Sequence, residues 1–221
     1  SELNKRCFTR IYPCGSRVES SNYSGLMPLF GAGCQLVALN YQTKDASLHK
    51  NIAFFKSNGS CGYVLKPLHL RSPCLATAPI KLQVTIVGGC HLPNAAGFKP
   101  SCCSRDVLDA YVTLTIFSPD GSQEKRTQTK SDNGLNPEWN EVFEFEVANP
   151  EVSLLQLVVM DDDQGVDDFV GQAITRVAHL RNGYRSVPLR DYKQLLPFSC
   201  LLVHITGVPD YRPAYRPQPQ L

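Results

Sequence analysis

The first part of the fold follows from two stretches, RIYPCGSRVESSNYSG at residues 10–25 and GAGCQLVALNYQT at residues 31–43. Residues 34–41 form an almost continuous apolar run, which is typical of a strand buried on both faces of a parallel sheet. Residues 8–13 form a shorter strand pattern, and Ser, Asn and Gly signals between the two strands indicate a short helix or loop. Two strands with such a crossover predict a piece of an α/β barrel, because the strands of a barrel close only as a complete ring.

The remainder of the chain carries short strand patterns at regular intervals, separated by turn residues. Residues 119–121 (PDG) and 132–134 (DNG) are turn sequences, because Gly and Asn tolerate a positive φ. This spacing predicts an eight-stranded antiparallel β-sandwich. Its expected strands are residues 80–87, 110–117, 123–129, 141–147, 154–159, 169–176, 183–189 and 199–206.

Composition shifts divide the chain into four parts. Two prolines and several small residues at 70–79 (LRSPCLATAP) are typical of a linker, and the end after Gly207 is rich in Pro. We therefore expect an α/β barrel piece at 1–70, a linker at 71–79, a sandwich at 80–208 and an extended tail at 209–221. Trp139, inside the stretch NPEWNE, is expected in the sandwich core.

Charge and cysteine content exclude several classes of protein. A formal net charge of +2 gives no argument for a nucleic-acid partner. No stretch has the length and hydropathy of a membrane span, and nine cysteines without paired spacing predict reduced thiols in the cytoplasm.

The stretches at residues 10–25, 31–43 and 58–67 (NGSCGYVLKP) resemble the Y-box of eukaryotic phosphoinositide-specific phospholipase C. The resemblance implies the C-terminal strands of a TIM-type (β/α)8 catalytic barrel. The short connection to the sandwich and the short tail resemble the delta-like enzymes of this family.

Arg10 and Tyr12 are the candidate substrate-binding residues. They lie at i and i+2 of a strand, so both side chains are expected to project from one face into the barrel mouth. A guanidinium binds phosphate through two parallel hydrogen bonds, and an aromatic ring packs on a sugar face. The resemblance assigns Arg10 to a ring phosphate and Tyr12 to the inositol ring. The alternative for Arg10 is a buried structural ion pair.

The family resemblance places the acid and base histidines and the catalytic calcium ligands in an upstream X-box. None of the five histidines here lies in a matching context, so no catalytic residue is expected within this segment. The X-box half of the barrel is therefore an expected partner. The implied activity is hydrolysis of phosphatidylinositol 4,5-bisphosphate to inositol 1,4,5-trisphosphate and diacylglycerol. The alternative is a catalytically inactive, lipid-binding or scaffold relative.

Residues 108–112, 136–147 and 160–172 resemble a C2 domain. By that resemblance, the calcium ligands are Asp109, Asp161, Asp163 and Asp168, and Ca²⁺ is the expected cofactor. Loops at one end of a sandwich can bring such carboxylates together. Two departures weaken the match: the loop at 94–106 lacks its usual early Asp, and the loop at 161–168 is one residue short. The alternative is a solvated acidic loop.

Basic residues of the sandwich could face an anionic membrane surface. Lys125, Arg126 and Lys130 lie on or beside one expected strand, and each basic residue near such a surface adds about 1 kcal/mol. An ordinary strand edge that Lys protects from aggregation explains them equally well. The expected localisation is cytoplasmic, as a peripheral membrane protein.

Overall fold

The structure, a computed structural model, describes residues 2–16, 25–43, 45–72, 78–93, 107–163, 165–192 and 194–209. Several sequence predictions fall outside these ranges: most of the linker, the loop at 94–106 and the tail beyond residue 209. No helix within the described ranges is long and apolar enough to cross a bilayer.

The N-terminal part is a small α/β unit. Its elements are α1 (Leu3–Arg6), β1 (Arg10–Ile11), α2 (Leu26–Gly31), β2 (Leu36–Val37) and α3 (Ala46–Phe55), followed by 3₁₀ turns at Asn58–Ser60 and Leu68–Leu70. Strands β1 and β2 are parallel, with Arg10 opposite Leu36. Asp45 caps the N-terminus of helix α3, because its carboxylate accepts hydrogen bonds from two backbone N–H groups of the first turn. The parallel barrel piece predicted from the sequence is confirmed.

Strand β2 differs from the prediction in length and burial. It spans two residues, and Leu36 is 50% exposed, so a strand buried on both faces is wrong for the described chain. The physical reason is that β2 has β1 as its one paired strand within the described ranges, and a barrel strand needs neighbours on both edges to be enclosed.

The second part is an antiparallel sandwich whose eight predicted strands are all present. They are β3 (Ile80–Cys90), β4 (Ala110–Ser118), β5 (Gly121–Arg126), β6 (Glu138–Val147), β7 (Leu154–Asp161), β8 (Asp168–Arg176), β9 (Gly183–Arg190) and β10 (Leu195–Thr206). Two four-stranded halves, β5-β4-β7-β8 and β9-β10-β3-β6, are joined by one residue pair, Gln172 opposite Arg190. We call the line between β8 and β9 the seam.

The sandwich core follows the alternation of its strands. Inward side chains of β3 and β4 are completely buried and belong to one apolar cluster, namely Leu82, Val84, Ile86, Val112, Leu114 and Ile116. Trp139 lies in the same cluster, and its indole N–H donates to the carbonyl oxygen of Gln128 at 2.9 Å. The prediction that Trp139 is a core residue is confirmed.

A second apolar cluster joins the N-terminal part to the outer face of the sandwich. Phe30 of α2 and Phe54 of α3 stack with ring centroids 4.4 Å apart. They pack with Leu154, at the start of β7, and with Val152 just before it, both of which are buried. Because α2 and α3 cannot bury these rings against a two-stranded sheet, the sandwich supplies the apolar surface they need.

Polar contacts surround this second cluster. The guanidinium of Arg176 lies 4.6 Å from the centroid of the Phe54 ring and donates a hydrogen bond to the backbone carbonyl of Glu151. Burial lowers the pKa of Arg176 below its ordinary value. The carboxylate of Glu151 in turn lies 3.2 Å from Nδ1 of His69. A buried cation is therefore held between the two parts of the chain.

A cavity of about 270 Å³ lies at the seam. Ala53 of helix α3 and Lys56, which directly follows the helix, contribute to its wall, and the sandwich interior contributes Leu157, Ala173 and Val203. Because β8 and β9 pair at a single position, the sandwich is open on this side, and α3 lies over the opening.

Replacing Phe54 with Ala should lower the free energy of unfolding by about 3 kcal/mol, because the change leaves a cavity and removes the ring beneath Arg176. Ile52 lies on the same helix but is 51% exposed, so Ile52→Ala is the matched control and should cost much less. Urea unfolding of the whole chain measures both values. Equal losses for the two variants would contradict the joint core.

Candidate functional site

Arg10 begins the two-residue strand β1, and Tyr12 directly follows its C-terminal end. The Arg10 guanidinium carbon is 4.6 Å from the centroid of the Tyr12 ring, so the two side chains share one face, as i and i+2 positions of an extended chain do. Parallel pairing continues past the strand, because the Ala38 N–H donates to the Ile11 carbonyl oxygen at 3.0 Å. In α/β barrels this end of the strands carries the active site.

The Arg10–Tyr12 pair is open to solvent. Arg10 is exposed and makes no ion pair within the described ranges, and Tyr12 is 62% exposed. A buried structural ion pair, the alternative for Arg10, does not match this environment. A stacked guanidinium that keeps its N–H donors can bind a phosphate while the ring packs on an apolar sugar face.

The four candidate calcium ligands lie at one end of the sandwich, which we call the loop end. The strand directions bring the segments after β3, β5, β7 and β9 to this end. Asp161 ends β7 directly opposite Asp168, which begins β8. Asp109 precedes β4, and Asp163 follows β7 in the same loop. The predicted convergence of these loops is therefore present at the level of the backbone.

Two of these carboxylates already accept hydrogen bonds from the backbone. Oδ1 of Asp161 accepts from the N–H of Asp109 at 2.7 Å, and Asp161 is buried. Oδ1 of Asp109 accepts from the N–H of Asp132 at 2.7 Å. Both aspartates thus connect segments of the loop end to one another.

A basic side chain binds the neighbouring carboxylate at the loop end. Nη2 of Arg126 lies 2.7 Å from Oδ2 of Asp162, which also accepts a hydrogen bond of 2.5 Å from the Thr129 hydroxyl. The hydrogen bond from Thr129 and the charge of Arg126 lower the pKa of Asp162. Arg126, a candidate for lipid contact, makes this ion pair at the surface, and its lipid contact stays a prediction.

Tyr111 extends the same network. The guanidinium carbon of Arg126 stands 3.6 Å from the centroid of the Tyr111 ring, and the Tyr111 hydroxyl donates to Oδ2 of Asp167 at 2.6 Å. Burial raises the pKa of Tyr111 to about 12, and the hydrogen bond to Asp167 adds to the rise. Arg126 and Tyr111 therefore bind carboxylates on both sides of the loop between β7 and β8, namely Asp162 and Asp167. Sequence reasoning missed this contact because strand positions alone do not reveal it.

The described carboxylates do not fit a metal ion as they are arranged. No group of three or more His, Cys, Asp or Glu side chains in the part of the chain that the structure describes could hold one. One carboxylate oxygen each of Asp109, Asp161 and Asp162 accepts hydrogen bonds from protein donors. The four-aspartate calcium site therefore stays a prediction.

The loop end also carries exposed apolar side chains that the sequence analysis did not select. Val166 is 84% exposed between β7 and β8, and Phe198 is 87% exposed within β10. Lys125, another lipid candidate, donates to the backbone carbonyl of Glu144 at 2.7 Å. Phe198 precedes Ser199, where the predicted strand began, and no periodic signal distinguished it from a loop residue.

Comparison with known proteins agrees with both halves of this description. Residues 1–69 match the family described as phosphatidylinositol-specific phospholipase C, Y domain, and residues 80–190 match the C2 domain. Crystal structures of PLC21 from L. pealei and S. officinalis superpose with TM-scores of 0.76 and 0.77 at 29% identity. Each comparison covers 94% of this chain and 27% of that protein.

The curated relatives include proteins named for an activity and proteins named as inactive. The phosphodiesterase gamma plc-3 of Caenorhabditis elegans is 41% identical over 92% of this chain, and inactive phospholipase C-like protein 1 of Homo sapiens is 36% identical over 91%. This chain spans 16% and 19% of those two proteins. The chain belongs to the phosphoinositide-specific phospholipase C family, of which it carries the Y domain followed by a C2 domain.

Proposed function

We propose that this chain is part of a phospholipase C that hydrolyses phosphatidylinositol 4,5-bisphosphate to inositol 1,4,5-trisphosphate and diacylglycerol at the cytoplasmic face of a membrane. The observation that carries the proposal is the exposed Arg10–Tyr12 pair at the C-terminal end of a parallel strand. Relatives named as phosphatidylinositol 4,5-bisphosphate phosphodiesterases, of the gamma and eta-1 types, support the substrate class.

In this proposal Arg10 and Tyr12 hold the headgroup rather than transfer protons. Arg10 donates charge-assisted hydrogen bonds to a phosphate on the inositol ring, and Tyr12 packs against the ring itself. Because the guanidinium already stacks on the phenol ring, binding would cost little side-chain ordering. The pair therefore orients the lipid for groups supplied by another part of the barrel.

The acid and base belong, in this proposal, to an X-box half of the barrel. Three of the five histidines of this chain contact polar side chains: His69 contacts Glu151, His179 contacts Ser57, and His91 contacts Cys90. These contacts belong to the boundary between the two parts and to the sandwich. The proposal therefore assigns the general acid and base to the X-box half and not to these histidines.

A second candidate function is lipid binding without catalysis. The inactive phospholipase C-like proteins 1 and 2 of Homo sapiens, 36% and 35% identical over 91% of this chain, favour it as a specific alternative. Such a protein would use the C2 domain to reach the membrane and would keep the barrel as a scaffold. The two candidates share the headgroup pair and differ in whether turnover follows binding.

The loop end is the proposed membrane-facing surface. Val166 and Phe198 are largely exposed there. Transfer of such apolar side chains from water into the lipid interface is favourable. Calcium at Asp109, Asp161, Asp163 and Asp168 remains a proposal suggested by the C2 family. It requires the present hydrogen bonds of Asp109 and Asp161 to be exchanged for metal contacts, so binding in solution is expected to be weak.

Arg10→Ala should reduce hydrolysis of the bisphosphorylated lipid roughly 10- to 100-fold more than hydrolysis of unphosphorylated phosphatidylinositol, because a charge-assisted hydrogen bond to a ring phosphate is lost. Tyr12→Ala should reduce both by similar factors. The measurement is kcat/KM on mixed micelles for the chain combined with an X-box half supplied in trans.

Arg6→Ala is the matched control, because Arg6 is also exposed but belongs to α1. It should leave the ratio of the two rates unchanged. An Arg10→Ala variant that lost both activities equally would overturn the phosphate role. Binding of the parent chain to bisphosphorylated lipid without any turnover, when the X-box half is active with another Y-box, would favour the inactive alternative.

Calcium should raise binding of the whole chain to phosphatidylserine vesicles about fivefold or more, since lipid phosphates and carboxylates can complete the coordination. The double variant Asp161→Asn/Asp163→Asn should abolish that increase. Asp120→Asn, at the opposite end of the sandwich, is the control and should behave like the parent chain. Co-sedimentation with calcium and with a chelator measures the bound fraction.

Calcium-independent binding that the double variant leaves unchanged would contradict the calcium site. The variant Arg126→Gln tests whether the Arg126–Asp162 ion pair takes the place of a bound metal ion. If the Arg126–Asp162 ion pair takes the place of a metal, removing its positive charge should make vesicle binding more dependent on calcium.

A further inference from the structure

Two cysteines face each other across neighbouring strands of the sandwich. In the antiparallel pair of β10 with β3, Cys200 is the register partner of Cys90, and the pairs Leu201 with Gly89 and Leu202 with Gly88 follow in unbroken register. Among the six cysteines that the structure describes as free, this is the one pair placed opposite each other in a strand ladder.

Both thiols lie on the outer face of the sheet. Leu201 is completely buried and points inward, so its neighbours Cys200 and Leu202 point outward, and Leu202 is 42% exposed. Directly opposite residues of an antiparallel pair project from the same face, so Cys90 shares the outer face with Cys200. Each of the two cysteines is partly exposed, which leaves them accessible to a small oxidant in solution.

The separation of such a pair suits a disulfide bond. Opposite residues in antiparallel strands have Cα atoms about 4.5 to 5.5 Å apart. A disulfide requires Cα atoms about 4.4 to 6.8 Å apart, with the Cβ atoms brought to about 4 Å. The bond can therefore form with a small closing movement and without a change of register.

A base stands beside one of the thiols. Sγ of Cys90 lies 3.0 Å from Nδ1 of His91, the next residue in the chain. A neutral imidazole at this distance can take the thiol proton, and the thiolate is the reactive form of cysteine. The backbone of His91 is held in place as well, because its carbonyl oxygen accepts a hydrogen bond of 2.5 Å from the Ser199 hydroxyl.

We propose that Cys90 and Cys200 form a reversible redox site that takes a hydroperoxide as its substrate. The Cys90 thiolate attacks one peroxide oxygen, the O–O bond breaks, and the leaving oxygen picks up a proton, which yields a sulfenic acid at Cys90 and an alcohol or water. The Cys200 sulfur then attacks the Cys90 sulfur, the S–O bond breaks, and hydroxide leaves with the Cys200 thiol proton as water. Two thiols lose two electrons and the peroxide gains them.

The disulfide would tie β3 to β10 next to the loop end. Cys90 is the last residue of β3, and the chain continues from it towards β4. The covalent loop between Cys90 and Cys200 would enclose most of the sandwich, and long closed loops restrict the unfolded chain most. Oxidation should therefore stabilise the C2 domain. This role is independent of calcium and of phosphoinositide hydrolysis.

The test treats the whole reduced chain with hydrogen peroxide, blocks the remaining thiols and maps the peptides without reduction. The expected product is a Cys90–Cys200 peptide pair that dithiothreitol releases. Cys200→Ser should stop at a Cys90 sulfenic acid that dimedone traps, while Cys61→Ser, the control at an exposed cysteine without a facing partner, should form the bond normally. A product that lacks this link, or links other cysteines in its place, would overturn the proposal.

Two further measurements distinguish a specific redox site from incidental oxidation of exposed thiols. Oxidation should raise the thermal midpoint of the parent chain by at least about 5 °C and leave that of Cys200→Ser unchanged. His91→Asn should slow formation of the disulfide about tenfold or more without altering the final product. Oxidation of this variant at the parent rate would overturn the assignment of His91 as the base.

Discussion

The stacked rings of Phe30 and Phe54, packed on Leu154 and Val152, are the contact on which the N-terminal part depends. A parallel pair of two-residue strands supplies little buried surface, and α2 and α3 need a larger apolar face than β1 and β2 provide. The outer face of the sandwich supplies it. This contact packs the N-terminal part, with the strand that begins at Arg10, against the C2 domain, so the proposed headgroup and membrane contacts would act from two parts that share one apolar cluster.

The loop end shows how charge is balanced where several carboxylates meet. Asp161 and Asp168 face each other across β7 and β8, an arrangement that costs free energy unless positive charge or hydrogen bonds offset it. Backbone N–H groups satisfy Asp109 and Asp161, and Arg126 neutralises Asp162. The protein thus provides internally part of the compensation that a bound cation would otherwise give. Metal affinity at this end would depend on how readily the Arg126–Asp162 ion pair breaks.

The sandwich could be predicted from sequence because most of its strands are alternating or apolar runs separated by turn residues, although β5 is polar and exposed throughout. The Arg10–Tyr12 pairing followed from the two-residue repeat of an extended chain in the same way. Helix α3 was missed, although Asp45 gives a capping signal, because its apolar residues are not concentrated on one face. Contacts such as Arg126 with Asp162 join residues far apart in sequence, and only the folded arrangement of strands brings them together. The exposure of Leu36 likewise depends on which strands surround it, and local sequence carries no such information.

The seam between β8 and β9 has a thermodynamic consequence for the whole chain. One residue pair joins the two halves of the sandwich there, and Ala53 of α3 and Lys56 just after the helix line the cavity at this position. Separating α3 from the sandwich would admit water to side chains such as Leu157 and Val203, which are otherwise buried in the core. We therefore expect the free energies of unfolding of the two parts not to be additive, because each part covers apolar surface of the other although the two match different families.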